Sequence, residues 1–325
     1  RMKKTVIVFK KIKKKKKTRL QQEFNLVYFD GINQYNRQDV LTALQTADGL
    51  IGASIPITSE LLDNAPHLKA ISTISVGYDN FDVADLDKRG IRLMHTPSVL
   101  TDTTADTIFT LILSTARRAV ELSMMVRAGE WKRSIGAEYY GTDVHHKTIG
   151  ILGMGRIGSA VAKRAHCGFD MKVLYMSDKP NLQVERQYQA ERCSLDEVLQ
   201  SADFVCITLP LLASTEHLIT KEKLELMKPS SILINGARGR IVDQAALIEA
   251  LQNGTIRAAG LDVFEIEPLP ADSPLIALPN VVLLPHIGSA TTETRYNMVS
   301  CAVDNIIAAL KTEKPKENWV NPQVG

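Results

Sequence analysis

A chain of 325 residues with 45% hydrophobic and 23% charged side chains has the composition of a soluble globular protein of about two domains. No apolar run nears the ~20 residues of a membrane span and no signal-peptide pattern opens the chain, so a spanning or exported protein is not expected and the cytoplasm is. Four scattered cysteines (Cys167, Cys193, Cys206 and Cys301) form no CxxC pair and read as thiols, not as disulfides or metal ligands.

The net charge of +3 hides an asymmetry. Eleven Lys or Arg and no acid fall within residues 1–19, which takes the remaining chain from +3 to −8. Such a block can mark a nucleic-acid or membrane surface. Without interleaved aromatics, and on an otherwise acidic chain, it reads instead as a solvated turn and helix start after the first strand. No nucleic-acid or membrane partner is expected. Arg1 ahead of Met2 reads as an extra residue before the initiator.

In the first third, Thr5–Phe9, Leu26–Phe29, Gly49–Ala53, Ala70–Ile74 and Ile91–His95 read as strands. Segments at Arg37–Ala47, Ser59–Asn64 and Val83–Arg89 read as the helices between them, which predicts parallel βαβ units. One long apolar helix is predicted over Thr101–Ala128, with Asp102 near its start and Gly129 closing it. A second alternating set follows, with strands near 148–153, 172–176, 203–208, 231–235, 257–262 and 281–284. Its helices are predicted near 157–167, 195–200, 221–227 and 243–253. This is the spacing of a doubly wound dinucleotide domain. A last helix, Thr292–Leu310, has no obvious place in that second sheet and is expected to return to the first domain. The predicted division is 1–100 and 287–325 for one domain and 101–286 for the other.

Gly153-Met154-Gly155-Arg156-Ile157-Gly158 lies between a predicted strand and a predicted helix, the context a GxGxxG motif needs. The first glycine permits a tight turn, the second lets a pyrophosphate approach the backbone, and the third lets helix and strand pack. The phosphates then meet open N–H groups at a helix start. Arg156 can add a charge-assisted contact. A ligand-free βα turn is the bland alternative.

At the end of the second strand an acid would accept from a ribose 2′-OH and repel a 2′-phosphate. Met176 stands there, with Ser177, Asp178 and Lys179 after it. Ser177 and Lys179 suit a phosphate and Asp178 does not, so the reading falls to NADP(H), with NAD(H) as the alternative.

Arg238, Glu267 and His286 each follow a predicted strand, at the edge where open α/β sheets bind ligands. Singly they read as a loop charge, a turn residue and a hinge histidine. Jointly they supply what hydride reduction of a 2-keto acid needs. A guanidinium grips the carboxylate, an imidazole protonates the oxygen, and a carboxylate keeps that imidazole oriented and charged.

These segments also carry a resemblance. Gly153 to Gly158, Asn235-Gly236-Ala237-Arg238-Gly239, the run Gly260 to Pro268, and Pro285-His286-Ile287-Gly288-Ser289-Ala290 resemble the D-isomer-specific 2-hydroxyacid dehydrogenase family. Ser75-Val76-Gly77-Tyr78-Asp79-Asn80 is similar to its substrate loop, so the likeness spans almost the whole chain. It implies a Rossmann dinucleotide domain inserted into a flavodoxin-like substrate domain. The branch it looks most like reduces glyoxylate, hydroxypyruvate and 2-ketoaldonates such as 2-keto-D-gluconate.

The resemblance further implies His286 as proton donor, Glu267 as its partner and Arg238 as substrate anchor, with Val76 and Gly77 offering backbone N–H groups to the substrate. It implies cofactor contacts from Thr104, Pro210, Thr215, Ala237, Asp262 and Gly288. Asp262 would hold the nicotinamide carboxamide. A homodimer joined through the dinucleotide domains is implied too, with the long helix and Trp131–Asp143 wrapping the partner.

Other dehydrogenases fit less well. L-type lactate and malate dehydrogenases carry their fingerprint near the N-terminus and pair His with Asp, and a formate dehydrogenase would pair its His with Gln. A phosphoglycerate dehydrogenase stays open, although no regulatory domain is expected beyond residue 325. A nucleotide-sensing corepressor or scaffold on the same fold also stays open.

Overall fold

The computed structural model describes residues 3–312 and 317–324; Arg1 and Met2, with the reading placed on them, lie outside these. The chain forms two compact units, Arg1–Leu100 with Thr291–Gly325, and Thr101–Ala290. The second crossing falls at 290/291 rather than at the expected 286/287. The Ile287 N–H donates to Asp262 (2.8 Å) and the Gly288 carbonyl accepts from Thr107 (3.2 Å), which ties both residues to the second unit.

The first unit holds β1 (Thr5–Val8), α1 (Lys14–Glu23), β2 (Asn25–Tyr28), α2 (Arg37–Leu44), β3 (Gly49–Gly52), α3 (Ser59–Leu62), β4 (Ala70–Thr73), α4 (Val83–Arg89) and β5 (Arg92–Met94). The strands form one parallel sheet in the order β2-β1-β3-β4-β5. A parallel sheet needs cover on both faces, and α12 (Thr292–Lys311) packs on β3, β4 and β5. Met298, Ala302, Val303, Ile306, Ala309 and Leu310 are buried on that helix, and burying each larger side chain contributes about 1.5–3 kcal/mol. A Cβ on Gly49 would lie 2.8 Å from Leu310 Cδ1, so helix and strand meet at a glycine. The Ser72 hydroxyl donates to the Ala302 carbonyl (2.8 Å) in the same interface.

The basic run does start a helix. In α1 only Leu20 is fully buried. Lys13 and Lys16 lie over the Tyr296 ring at 5.6 and 4.7 Å, and Lys17 lies 3.9 Å over Tyr28. Arg19 pairs with Asp304, and Lys311 with Glu23. Part of the run thus binds α12 and β2 of its own unit, at about 0.5–1 kcal/mol for an exposed cation–π contact.

The second unit begins with α5 (Thr101–Ala116) and α6 (Ala119–Arg127), not with the single helix expected. The break is at Arg118, whose φ is 56°. Its guanidinium grips Glu121 (2.8 Å) and the Glu138 carbonyl (2.7 Å). The returning chain reaches the end of α5, where the Thr142 N–H donates to the Ala116 carbonyl (2.8 Å).

After it come β6 (Thr148–Leu152), α7 (Arg156–Phe169), β7 (Lys172–Met176), α8 (Leu182–Tyr188), β8 (Glu191–Arg192), α9 (Leu195–Ser201) and β9 (Phe204–Ile207). Then follow α10 (Lys221–Leu226), β10 (Ile232–Asn235), α11 (Gln244–Asn253), β11 (Ala258–Leu261) and β12 (Val281–Leu283). The seven parallel strands run β12-β11-β10-β9-β6-β7-β8. The order reverses between β6 and β9, and a crevice opens at such a switch point, beyond the carboxyl ends of the strands. Among the described residues no helix is long and apolar enough to cross a membrane.

Candidate active site

The glycine loop follows β6 at the switch point. Gly153 has φ 102°, a conformation glycine adopts without a steric cost. Its N–H donates to the Met176 carbonyl at the end of β7 (2.8 Å), and its carbonyl accepts from the Thr208 hydroxyl beyond β9 (2.6 Å). A Cβ on Gly158 would lie 2.2 Å from the Gly153 carbonyl oxygen, so α7 can sit this close only with glycine there. A Cβ on Gly155 would meet nothing within 4 Å. Arg156, Ile157 and Gly158 open α7, and the first N–H groups of a helix lack intrahelical partners. Thr208 carried no signal in the sequence, because its role lies in a contact across the switch point.

Further along the same edge, the buried hydroxyl of Thr215 donates to the Pro210 carbonyl (2.6 Å) and accepts from the Leu212 N–H (2.8 Å). Thr215 therefore shapes the loop carrying Pro210. The Ser177 hydroxyl donates to the Lys179 carbonyl (2.5 Å) in the turn after β7.

Asp262, directly after β11, is fully buried. Its Oδ1 accepts from the Ile287 N–H, while Oδ2 has no hydrogen-bond partner among the described residues. Burial, with the charge of Glu267, pushes this carboxyl above the usual range, against the pull of the Ile287 and Gly288 N–H groups and the charge of His286. A buried acceptor without a donor is costly and points to a ligand. A Cβ on Gly288 would lie 3.5 Å from Oδ2 and 3.6 Å from Thr104, so Thr104, Asp262 and Gly288 gather at one spot. An open backbone cradle at Gly155 and an unmatched acceptor at Asp262 together suit a dinucleotide with a terminal carboxamide.

His286 and Glu267 form the chemical pair. Nδ1 of His286 lies 2.5 Å from Glu267 Oε1 and must donate to it, which leaves Nε2 for a substrate. The second oxygen of Glu267 accepts from the Phe264 N–H (3.0 Å). Burial pushes the Glu267 carboxyl up, yet the His286 and Phe264 hydrogen bonds, with the charges of His286 and Arg238, outweigh it and hold it below the usual range. His286 has φ 55°. A non-glycine residue in the left-handed region costs of order 1–3 kcal/mol, and such strain persists where neighbours over-determine it. Here the Glu267 bond on one side and the Ile287–Asp262 bond on the other do so.

Arg238 stands on a loop clamped from beneath. Buried Asn235 donates to the Arg238 carbonyl (2.9 Å) and accepts from the Ala237 N–H (3.0 Å). Arg238 Nη1 donates to the Ala237 carbonyl (2.8 Å). With its N–H engaged inside the loop, Ala237 offers a cofactor no backbone donor. A Cβ on Gly239 would fall 2.0 Å from the Phe264 carbonyl carbon, so the Arg238 loop rests directly on the Glu267 loop. Glu265 fastens that loop from the far side, with Oε1 held by His217 Nε2 (3.0 Å) and the Gln244 N–H (3.2 Å). Neither Asn235 nor Glu265 could be told from an ordinary loop residue by spacing alone.

Val76 and Gly77 lie in the first unit, beyond β4. Their carbonyls are tied down, Val76 by His95 Nδ1 and Gly77 by the Ser75 hydroxyl, each at 2.8 Å. Neither N–H has an acceptor among the described residues, and adjacent open N–H groups make a site for an anion. No group of three or more His, Cys, Asp or Glu among the described residues is placed to hold a metal ion.

Comparison with known proteins agrees with this geometry. Residues 109–288 match the model of the D-isomer specific 2-hydroxyacid dehydrogenase NAD binding domain. A Yersinia pestis protein named glyoxylate/hydroxypyruvate reductase B is 60% identical over 323 residues, covering 99% of both chains. Among solved structures, an NADPH-dependent glyoxylate/hydroxypyruvate reductase from Sinorhizobium meliloti, in complex with NADP and malonate, is 32% identical with a TM-score of 0.86 over 98% of this chain and 97% of its own. A glyoxylate reductase from Paecilomyes thermophila is 30% identical with a TM-score of 0.90 over 99% of each chain.

Proposed function

We propose that this chain, which belongs to the D-isomer-specific 2-hydroxyacid dehydrogenase family, is an oxidoreductase that reduces glyoxylate, hydroxypyruvate and related small 2-keto acids to D-2-hydroxy acids with NAD(P)H. The observation that carries the reading is the 2.5 Å His286–Glu267 pair beside the Arg238 loop. Arg238 would hold the substrate carboxylate, and the open N–H groups of Val76 and Gly77 would make a separate anion site within the first unit. A reduced nicotinamide, when bound, supplies the hydride to the carbonyl carbon. His286 Nε2 delivers the proton to the carbonyl oxygen, and Glu267 keeps the ring aligned through Nδ1 as the imidazole turns neutral.

The test is a kcat/KM panel of glyoxylate, hydroxypyruvate, pyruvate and 2-keto-D-gluconate, each with NADH and with NADPH. Turnover of glyoxylate or hydroxypyruvate is expected. Nucleotide binding without oxidation of either cofactor would instead mark a sensor or scaffold.

Arg238→Lys keeps the charge but loses the two-pronged grip. It is expected to raise KM for the keto acid by about tenfold or more, the loss of one charge-assisted hydrogen bond. Unchanged steady-state kinetics in the variant would remove Arg238 from the anchor role.

Asp262→Asn separates stability from binding. An acid whose folded pKa is raised costs stability while it is ionised, so the fold gains as pH falls through that value. The variant removes the buried charge and keeps an acceptor for Ile287. Its Tm without ligand is expected to rise at neutral pH. NAD(P)H binding should weaken about tenfold, because the new NH₂ meets the carboxamide as a second donor. Calorimetry with and without nucleotide reads both, and a variant that binds as tightly as the parent would clear Asp262 of that role.

The surface of the cofactor unit supports a homodimer joined there. Among the described residues α6 buries none of its own and exposes Val120, Met124 and Val126, and Trp131 and Tyr140 are exposed after it. Apolar patches of this kind mark partner surfaces, and a second copy of the chain is the proposed cover. Four thiols outside any disulfide suit the cytoplasm.

A further inference from the structure

We infer that Arg192 reads the 2′-position of the cofactor's adenosine ribose and makes NADP(H) the preferred nucleotide; this rests on the dinucleotide reading above. In a sheet of this type the choice is made at the carboxyl end of the strand beside the glycine-loop strand. A carboxylate there accepts from a 2′-hydroxyl, and a guanidinium takes a 2′-phosphate. That strand is β7, bound at its end to the glycine loop through Gly153 and Met176.

Met176 holds the final position, and its side chain packs against the apolar core between sheet and helices. No carboxylate stands at the strand end itself. The acid that follows, Asp178, is exposed, and its carboxylate has no hydrogen bond or ion pair with another described residue.

The basic group comes from the other side. β8 contributes only Glu191 and Arg192, in register with Leu174 and Tyr175 of β7. From there the Arg192 side chain runs along β7 to its end. Nε and Nη2 donate to the Ser177 carbonyl at 3.2 and 2.9 Å, and Nη2 also donates to the Asp178 carbonyl at 2.7 Å. These bonds fix the plane of the guanidinium and cover two carbonyl oxygens that would repel a phosphate. Among the described residues Nη1 makes no hydrogen bond and no carboxylate lies within ion-pair distance of the group. The result is a held, exposed cation at the discriminating position, the arrangement that favours a phosphate dianion. Lys179, also exposed, follows Asp178 in the same turn, so the turn's neighbourhood holds two cations and the one acid Asp178.

Binding without substrate tests this, by titration calorimetry of the full chain with NADPH, NADH, 2′,5′-ADP and 5′-AMP. The parent is expected to bind NADPH tighter than NADH, and 2′,5′-ADP tighter than 5′-AMP. Arg192→Gln should weaken NADPH and 2′,5′-ADP about tenfold or more, while NADH and 5′-AMP stay within about twofold. Arg192→Lys should fall between, because it keeps the charge and loses the fork. Equal losses for all four ligands would make Arg192 only a clamp on the turn and overturn the inference. Tighter NADH than NADPH binding in the parent, reversed by Asp178→Asn, would give the choice to Asp178 and overturn it as well. A parent that binds neither NADPH nor NADH would sink the dinucleotide reading itself, an outcome distinct from the other two.

Discussion

Replacing His286 with alanine is expected to lower kcat for keto-acid reduction by about 10²–10⁴-fold, the range that a positioned proton donor contributes. Nucleotide binding should be nearly unchanged, because the nucleotide-facing features (the glycine loop, the end of β7 and Asp262) do not include the imidazole. The ring is held by its 2.5 Å bond to Glu267, so the loss concerns the proton and not the fold. The pH profile separates the two. Reduction consumes a proton from Nε2 and should fall toward alkaline pH, whereas oxidation of a hydroxy acid needs that nitrogen unprotonated and should fall on the acid side. Glu267 sets a further acid limit. Its burial raises the carboxyl, but His286, Phe264 and Arg238 bring it below the usual range. The stabilisation it gives the pair is therefore complete above the usual carboxylate value and is lost only as pH falls through the lower, folded one. Residual activity in the alanine variant should lack the alkaline limb. Retention of both the rate and the limb would assign the proton to another group.

Gly239→Ala should be almost as damaging, though residue 239 carries no chemistry. The added Cβ would lie 2.0–2.5 Å from the backbone of Phe264, and main chain cannot swing aside as a side-chain tip does. Either the Arg238 loop or the Glu267 loop must shift, and a displacement of about 1 Å in such a site costs ~10²-fold in kcat/KM. Overpacking should also cost about 1–3 kcal/mol of stability. Kinetics and thermal unfolding measured together check this, with nucleotide affinity as the control. A variant with parental kcat/KM would mean that the two loops are not registered through this contact.

The strands of both sheets were legible because parallel strands buried on both faces are short apolar runs. Thr148–Leu152 and Phe204–Ile207 are nearly uninterrupted ones. The pieces missed are those whose cause lies elsewhere in space. β8 has two residues, neither apolar. In α8 Val184 is the only buried residue; α1 reads in the sequence only as a helix start, because one buried leucine among lysines leaves its extent unmarked. The break at Arg118 has no proline or glycine to announce it; it follows from a chain segment some twenty residues later that seats against the end of α5.

The candidate site shows the same division. Arg238, Glu267 and His286 announce themselves as polar residues after strand ends. Asn235, Thr208, Glu265 and Arg192 do their work through contacts between segments distant in the chain, and spacing says nothing of those.

The placement of α12 carries a consequence in time. A chain is made from its N-terminus, yet β3, β4 and β5 receive their covering helix only once residues 292–311 exist. Until then β3, β4 and β5 lack the helix that covers one face of them, while every strand of Thr101–Ala290 is already made. The unit that begins first is thus completed last. Completing it closes a loop of nearly two hundred residues, whose entropic cost is smaller once the intervening unit has folded within it.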